Sequence, residues 1–144
     1  RGKPSVLGLV SGAVSGLVAI TPASGFVDAQ GAMVIGVAAG AACYWGATTL
    51  KSSFGYDDSL DVFGVHAIGG IVGALLTGVL ALKDIGGVEG SLLNQSIGVM
   101  FTLLYAAVVT AILLKAVDLM VGLRVSAEQE NEGLDYEQHG EQVP

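Results

Sequence analysis

Charge is scarce along this chain. Of its 144 residues only 13% are Asp, Glu, Lys or Arg, while 52% are hydrophobic and the mean hydropathy is +0.68. A soluble domain carries about 25% charged residues, so the shortage places the chain in the membrane class before any motif is read. The six Lys and Arg form no basic stripe, which argues against nucleic-acid binding. A single cysteine, Cys43, excludes an intrachain disulfide and any multi-Cys metal site; inside an apolar run it reads as a small packing residue. Histidine is almost absent: His66 and His139 are the only two, and no Cys or Glu stands at ligand spacing beside His66, so no metal centre is expected. There is no nucleophile–base constellation and no phosphate-binding loop, which speaks against an enzyme and against a cofactor. The first residue is Arg1 rather than Met, and no signal peptide is visible. The chain therefore reads as a piece of a longer protein beginning inside a loop.

What is abundant is apolar sequence and glycine. Four apolar segments run from about Ser5 to Ile20, Gly31 to Leu50, Asp61 to Leu82 and Leu92 to Leu123. A bilayer-spanning helix takes about 20 residues, with a range of about 17–25. The second and third fit; the first is short, and is expected either to draw on part of Thr21–Ser24 or to span a thinned region; the last is longer than required, which suggests strong tilt or a kink. Transmembrane β-strands would need alternating segments of about 10 residues, which these continuous runs do not supply. The fold class is therefore all-α, a polytopic transmembrane helical bundle. The stretches Lys51–Ser59 and Lys83–Gly90 read as connecting loops. Glycine, at 22 residues, recurs four apart at Gly8, Gly12 and Gly16, at Gly36 and Gly40, and at Gly69 and Gly73. Residues four apart share a helix face, and small residues there let helix backbones approach closely.

Basic residues set the expected orientation. With four spans, Arg1, Lys3, Lys51 and Arg124 fall on one side and Lys83 on the other, so the N-terminal end, the middle loop and the tail are expected in the cytoplasm. Acidic residues crowd the tail: Glu128, Glu130, Glu132, Asp135, Glu137 and Glu141 all lie there. Composition alone makes this a solvated terminus.

His66 is the informative residue. It stands inside the apolar third segment, among Phe63, Val65, Ala67 and Ile68, and an ionisable group inside a membrane helix is a functional candidate. A neutral imidazole offers one donor and one acceptor, so it suits a proton relay or a small polar solute. Composition leaves a second reading equally open, a structural histidine bonding a neighbouring carbonyl.

The sequence around it resembles the ammonium transporter, methylammonium permease and Rhesus glycoprotein family. Asp-Val-Phe-Gly-Val-His-Ala-Ile-Gly-Gly-Ile-Val-Gly, Asp61 to Gly73, is similar to that family's tenth-helix motif. Arg-Gly-Lys-Pro-Ser, leading to Gly16–Ala23, resembles its eighth helix, and Ala39–Gly46 its ninth. Gly122–Val125, Glu132–Asp135 and His139–Glu141 resemble its cytoplasmic tail, which favours the bacterial-type branch. The resemblance covers essentially the whole chain, in order.

It implies an eleven-helix transporter in a homotrimer, each protomer with its own pore, of which residues 1–123 are the C-terminal membrane helices and residues 124–144 the cytoplasmic regulatory tail. Ammonium is deprotonated and crosses a narrow apolar pore containing two imidazoles; His66 matches the second. On the same ground one of Val62 and Phe63 is expected at the cytoplasmic exit. Thr21 matches a threonine near the pore, although a Thr-Pro helix end explains it equally well. Asp61 matches an acid at the start of the His66 helix, where capping the helix N-terminus is the favoured role; Asp57 and Asp58 are read as further caps or solvated groups. Trp45 reads as a packing or interfacial anchor. The resemblance further implies a location in the cell membrane and a PII-type signalling protein as partner of the tail. Two other functions stay open: a membrane ammonium sensor on the same scaffold, and a related gas channel.

Overall fold

A computed structural model describes residues 5–141. Among them the regular structure is entirely helical. Helix α1, Val6–Ile20, starts at Ser5, whose hydroxyl accepts the Gly8 amide at 3.0 Å, and continues into a 3₁₀ turn over Thr21–Ala23 built on Pro22. Helix α2, Ala29–Trp45, starts at Asp28, whose carboxylate accepts the Gly31 amide at 2.8 Å. It passes through a π-helical turn, Gly46–Leu50, into α3, Lys51–Phe54. A second π-turn, Phe63–Ala67, leads into α4, Ile68–Leu80. A short helix α5, Lys83–Gly86, precedes α6, Leu92–Met120, and two short helices follow: α7, Ala127–Glu132, and α8, Leu134–His139.

Four of these stretches are long and apolar enough to cross a membrane: Val6–Ala23, Ala29–Phe54, Phe63–Leu80 and Leu92–Met120. Of the two expectations for the first, extension holds: it is lengthened by Thr21–Ala23. The second is longer than expected, because Lys51–Phe54 is helix rather than loop. Its polar groups do not break the helix, since Thr48 and Ser52 donate back to the Tyr44 and Thr49 carbonyls at 2.6 and 3.0 Å. The stop comes at Gly55, whose φ of 63° is the left-handed conformation that ends helices. Part of the Lys83–Gly90 connection is likewise helical, as α5. The last span is one unbroken helix of 29 residues.

The chain divides into two compact units, the boundary falling between Phe101 and Thr102. In the first, α1, α2 and α4 pack on one another. Their common core is made of small side chains, Ala19, Ala23 and Ala39 around Ile35, with Ile20, Val27, Leu76 and Leu80 against it. The buried hydroxyls of Ser15 and Thr77 donate to the Ser11 and Gly73 carbonyls at 2.8 and 2.7 Å.

Only one of the three glycine seams is a contact among the described residues. Gly73 lies so close to Ala19 that an added methyl would fall on the Ala19 carbonyl oxygen, and one on Gly69 would meet the Cys43 sulfur at 3.0 Å. Methyls added at Gly12, Gly16, Gly36 or Gly40 would meet open space. The buried face of α2 is instead Gly31, Ile35, Ala39 and Cys43. Gly36 and Gly40 sit one residue further along, about 100° round the helix. Large apolar side chains of this unit such as Leu9, Leu17 and Val37 are exposed, as a bilayer-spanning bundle requires.

The second unit holds the rest of α6 and the tail, which is ordered into α7 and α8. Ser126 caps α7 reciprocally: its hydroxyl accepts the Gln129 amide at 3.3 Å, and its own amide donates to Gln129 Oε1 at 3.2 Å. Arg124 grips Glu130 with two hydrogen bonds of 2.9 Å each. Local capping and a bidentate pair thus order a segment whose composition alone suggests a solvated end.

Candidate functional site

His66 lies in the second π-turn, and its side chain is exposed. A π-turn accommodates one extra residue per turn, is rare, and occurs disproportionately at functional sites. Here two of them face each other. Methyls added to Gly64 would meet the Ala47 backbone nitrogen and Cα at 2.7 and 2.8 Å, and on Gly46 the Gly64 Cα at 3.3 Å. Only glycine allows the two chains to run this close. Beside the crossing Val65 is buried, and its carbonyl accepts the Cys43 thiol at 3.5 Å. Cys43 is thus the packing residue that its apolar setting implies. One side of the turn is clamped by backbone contact, and His66 is left on an open side.

That side is a cleft of about 950 Å³ lined by Leu50, Phe54, Tyr56, Asp57, Asp58, Val62, Phe63, His66 and Ala67. Phe63 and Tyr56 meet edge to face, with ring centroids 5.5 Å apart and planes at 74°.

The entry to the His66 helix is fixed by two carboxylates with different tasks. Asp58 is the cap: its Oδ1 accepts the Val62 amide at 2.8 Å, and its Oδ2 accepts those of Phe63 and Gly64 at 3.0 and 3.4 Å. The capping expected of Asp61 is therefore carried out three residues earlier. The Asp61 carboxylate turns to Lys51, whose Nζ stands 2.8 Å from its Oδ1 and also donates to the Asp58 carbonyl at 2.5 Å. The reason is conformational. Asp61 has φ of 55°, and with this backbone turn its carboxylate meets Lys51 at the start of α3 rather than the helix amides.

The expected site residues are thus partly brought together. His66, Val62 and Phe63 share the cleft; Asp61 is one step removed, through Lys51 and Asp58. Thr21 is not in this cleft, and its hydroxyl donates to the Leu17 carbonyl at 2.7 Å, as a Thr-Pro helix end requires. Leu50, Phe54, Tyr56 and Ala67 were not singled out from sequence. The first two were hidden by the polar Lys51-Ser52-Ser53 run, which reads as a loop.

Comparison with known proteins bears on the family and the fold. The chain matches the profile of the Ammonium Transporter Family over residues 1–143. It is 51% identical to the ammonium transporter of Aquifex aeolicus, over 99% of this chain and 35% of that protein. It is 49% identical to ammonium transporter Amt1 of Archaeoglobus fulgidus, over 98% of this chain and 38% of that one. Its fold is similar to the crystal structure of Saccharomyces cerevisiae Mep2, with a TM-score of 0.77 at 38% identity, covering 88% of this chain and 31% of Mep2. The chain thus spans about a third of the length of these relatives, and a family profile matched over residues 1–143 identifies it as a member of the ammonium transporter family.

Proposed function

We propose that this chain forms part of the conduction pathway of an ammonium transporter, with His66 as an imidazole lining that pathway. The observation that carries the reading is the position of His66. An ionisable side chain, on a helix otherwise built for lipid, stands in the wall of an apolar-sided cleft and is held there by a glycine crossing behind it.

The chemistry suits ammonium. Removing a hydrated K⁺ or Na⁺ from water into apolar surroundings is opposed by a desolvation penalty of several kcal/mol or more. Ammonium, of similar size, escapes that penalty by giving up a proton. Neutral ammonia then hydrogen-bonds to an imidazole nitrogen, through either its lone pair or its N–H groups. Selectivity follows from a proton transfer that alkali cations cannot make. Val62 and Phe63, one turn before His66, line the same cleft, one of them at the cytoplasmic exit in this reading. His66 is one of a pair of imidazoles in this reading, the other lying on a different part of the complete transporter.

The remaining assignments belong to the same proposal. The protein works in nitrogen uptake as a homotrimer in the cell membrane. Residues 1–123 are membrane helices; residues 124–144 are a cytoplasmic tail that meets a PII-type signalling protein. The excess of Lys and Arg on the side of Lys51 and Arg124 supports a cytoplasmic tail. The function is transport rather than catalysis of a covalent reaction, and the names of the relatives support this.

The test is labelled methylammonium uptake into proteoliposomes containing the full-length transporter that carries this sequence. Saturable uptake that excess ammonium suppresses and K⁺ does not is the expected result. No uptake, or equal passage of K⁺, would refute the assignment.

A further inference from the structure

We propose that the Tyr56 hydroxyl is a solute-binding group of the His66 cleft, one that hydrogen-bonds a small amine on its way to or from the imidazole. The inference rests on the transport reading above and adds a residue to it.

Tyr56 and His66 line the same cleft, and the Tyr56 ring is steadied by the edge contact with Phe63. Its hydroxyl oxygen is buried and has no hydrogen-bond partner among the described residues. This makes it an exception among the described residues. The buried hydroxyls of Ser15 and Thr77 both donate to a carbonyl one turn back. A buried hydroxyl without a partner carries a desolvation penalty with nothing to offset it, and folded proteins seldom retain one without a reason. Phenylalanine would make the same ring contact without that penalty, so packing does not explain the oxygen.

Of the polar groups near it, Asp58 and Lys51 are already committed, while Asp57 also lines the cleft. Both oxygens of the Asp58 carboxylate accept helix amides, and the Lys51 ammonium is shared between Asp61 and the Asp58 carbonyl. A phenolic hydroxyl is both donor and acceptor. It accepts from an ammonium N–H and donates to the lone pair of a neutral amine, so it serves the solute on both sides of a deprotonation. To K⁺ it offers a single oxygen in place of a hydration shell, a poor exchange. The oxygen is covered, so a solute in the cleft reaches it only when the ring turns out of its edge contact with Phe63.

Tyr56→Phe removes only this oxygen, which makes it the decisive variant. It is compared with the wild type and with His66→Ala in the full-length transporter, reading KM and maximal rate for labelled methylammonium and the thermal unfolding midpoint. The proposal expects Tyr56→Phe to unfold at the same or a higher temperature while its KM rises about three- to tenfold, the scale of one neutral hydrogen bond. Wild-type kinetics in Tyr56→Phe would overturn it. So would slower uptake together with a lower midpoint, which marks a packing role. His66→Ala separates the two levels. If it loses selective uptake while Tyr56→Phe behaves as wild type, only the hydroxyl assignment falls. If wild-type protein takes up no methylammonium, or His66→Ala is as selective as wild type, the transport reading falls and this inference with it.

Discussion

Lys51 and Asp61 stand 2.8 Å apart and tie the end of the second span to the residue from which the His66 helix springs. Asp61 is the single non-glycine residue with positive φ among the described residues. Aspartate tolerates that conformation better than most residues, but it still needs support. Lys51 supplies it by holding both the Asp61 carboxylate and the Asp58 carbonyl. Both side chains are partly exposed, so solvent screens their attraction and the pair acts mainly through geometry.

Asp58 and Lys51 should accordingly differ in weight. Asp58→Ala leaves the amides of Val62, Phe63 and Gly64 without their acceptor and is expected to destabilise by about 1–2 kcal/mol, the upper range for a lost helix cap. Lys51→Met should lower the unfolding midpoint less, because Asp58 still caps. Thermal unfolding of the two variants in detergent checks the order; a larger drop for Lys51→Met would mean that the ion pair, rather than the cap, holds the turn.

The glycines make a second contrast. Gly73→Ala forces a methyl onto the Ala19 backbone and should destabilise by about 1–3 kcal/mol, as overpacking does. Gly36→Ala enters open space and should change the stability of this chain by no more than about 1 kcal/mol in either direction. Chemical or thermal denaturation of the purified chain compares them, and equal effects would contradict the packing described here.

Much of this architecture was legible in the residues. Apolar runs of spanning length placed the four helices, and the motif around His66 pointed to the family. The details that depend on tertiary contact were not. No local pattern distinguishes Gly73, pressed on Ala19, from Gly36, facing open space: both lie four residues from another glycine. Nor does sequence tell which of three nearby aspartates caps the helix, because that follows from the backbone turn at Asp61. The two π-turns were equally hidden. Their signal was Gly46 and Gly64, which read as ordinary small residues until the crossing is seen.

In the tail, Ser126→Ala removes one arm of the reciprocal cap and should weaken α7 by about 1 kcal/mol. Amide hydrogen exchange across Ala127–Glu132 is expected to quicken by about fivefold, the rate equivalent of that loss. Unchanged exchange would show that Arg124 and Glu130 order the segment without the cap.

The most direct test of the account replaces the imidazole itself. In the full-length transporter, His66→Ala should abolish or grossly alter selective methylammonium uptake while the protein still inserts and unfolds at close to the wild-type temperature. His66→Glu, which places a carboxylate in the same cleft, should admit K⁺. Labelled methylammonium uptake measured with and without competing K⁺ reads both. Wild-type uptake and wild-type exclusion of K⁺ in His66→Ala would contradict the claim that His66 lines the conduction pathway.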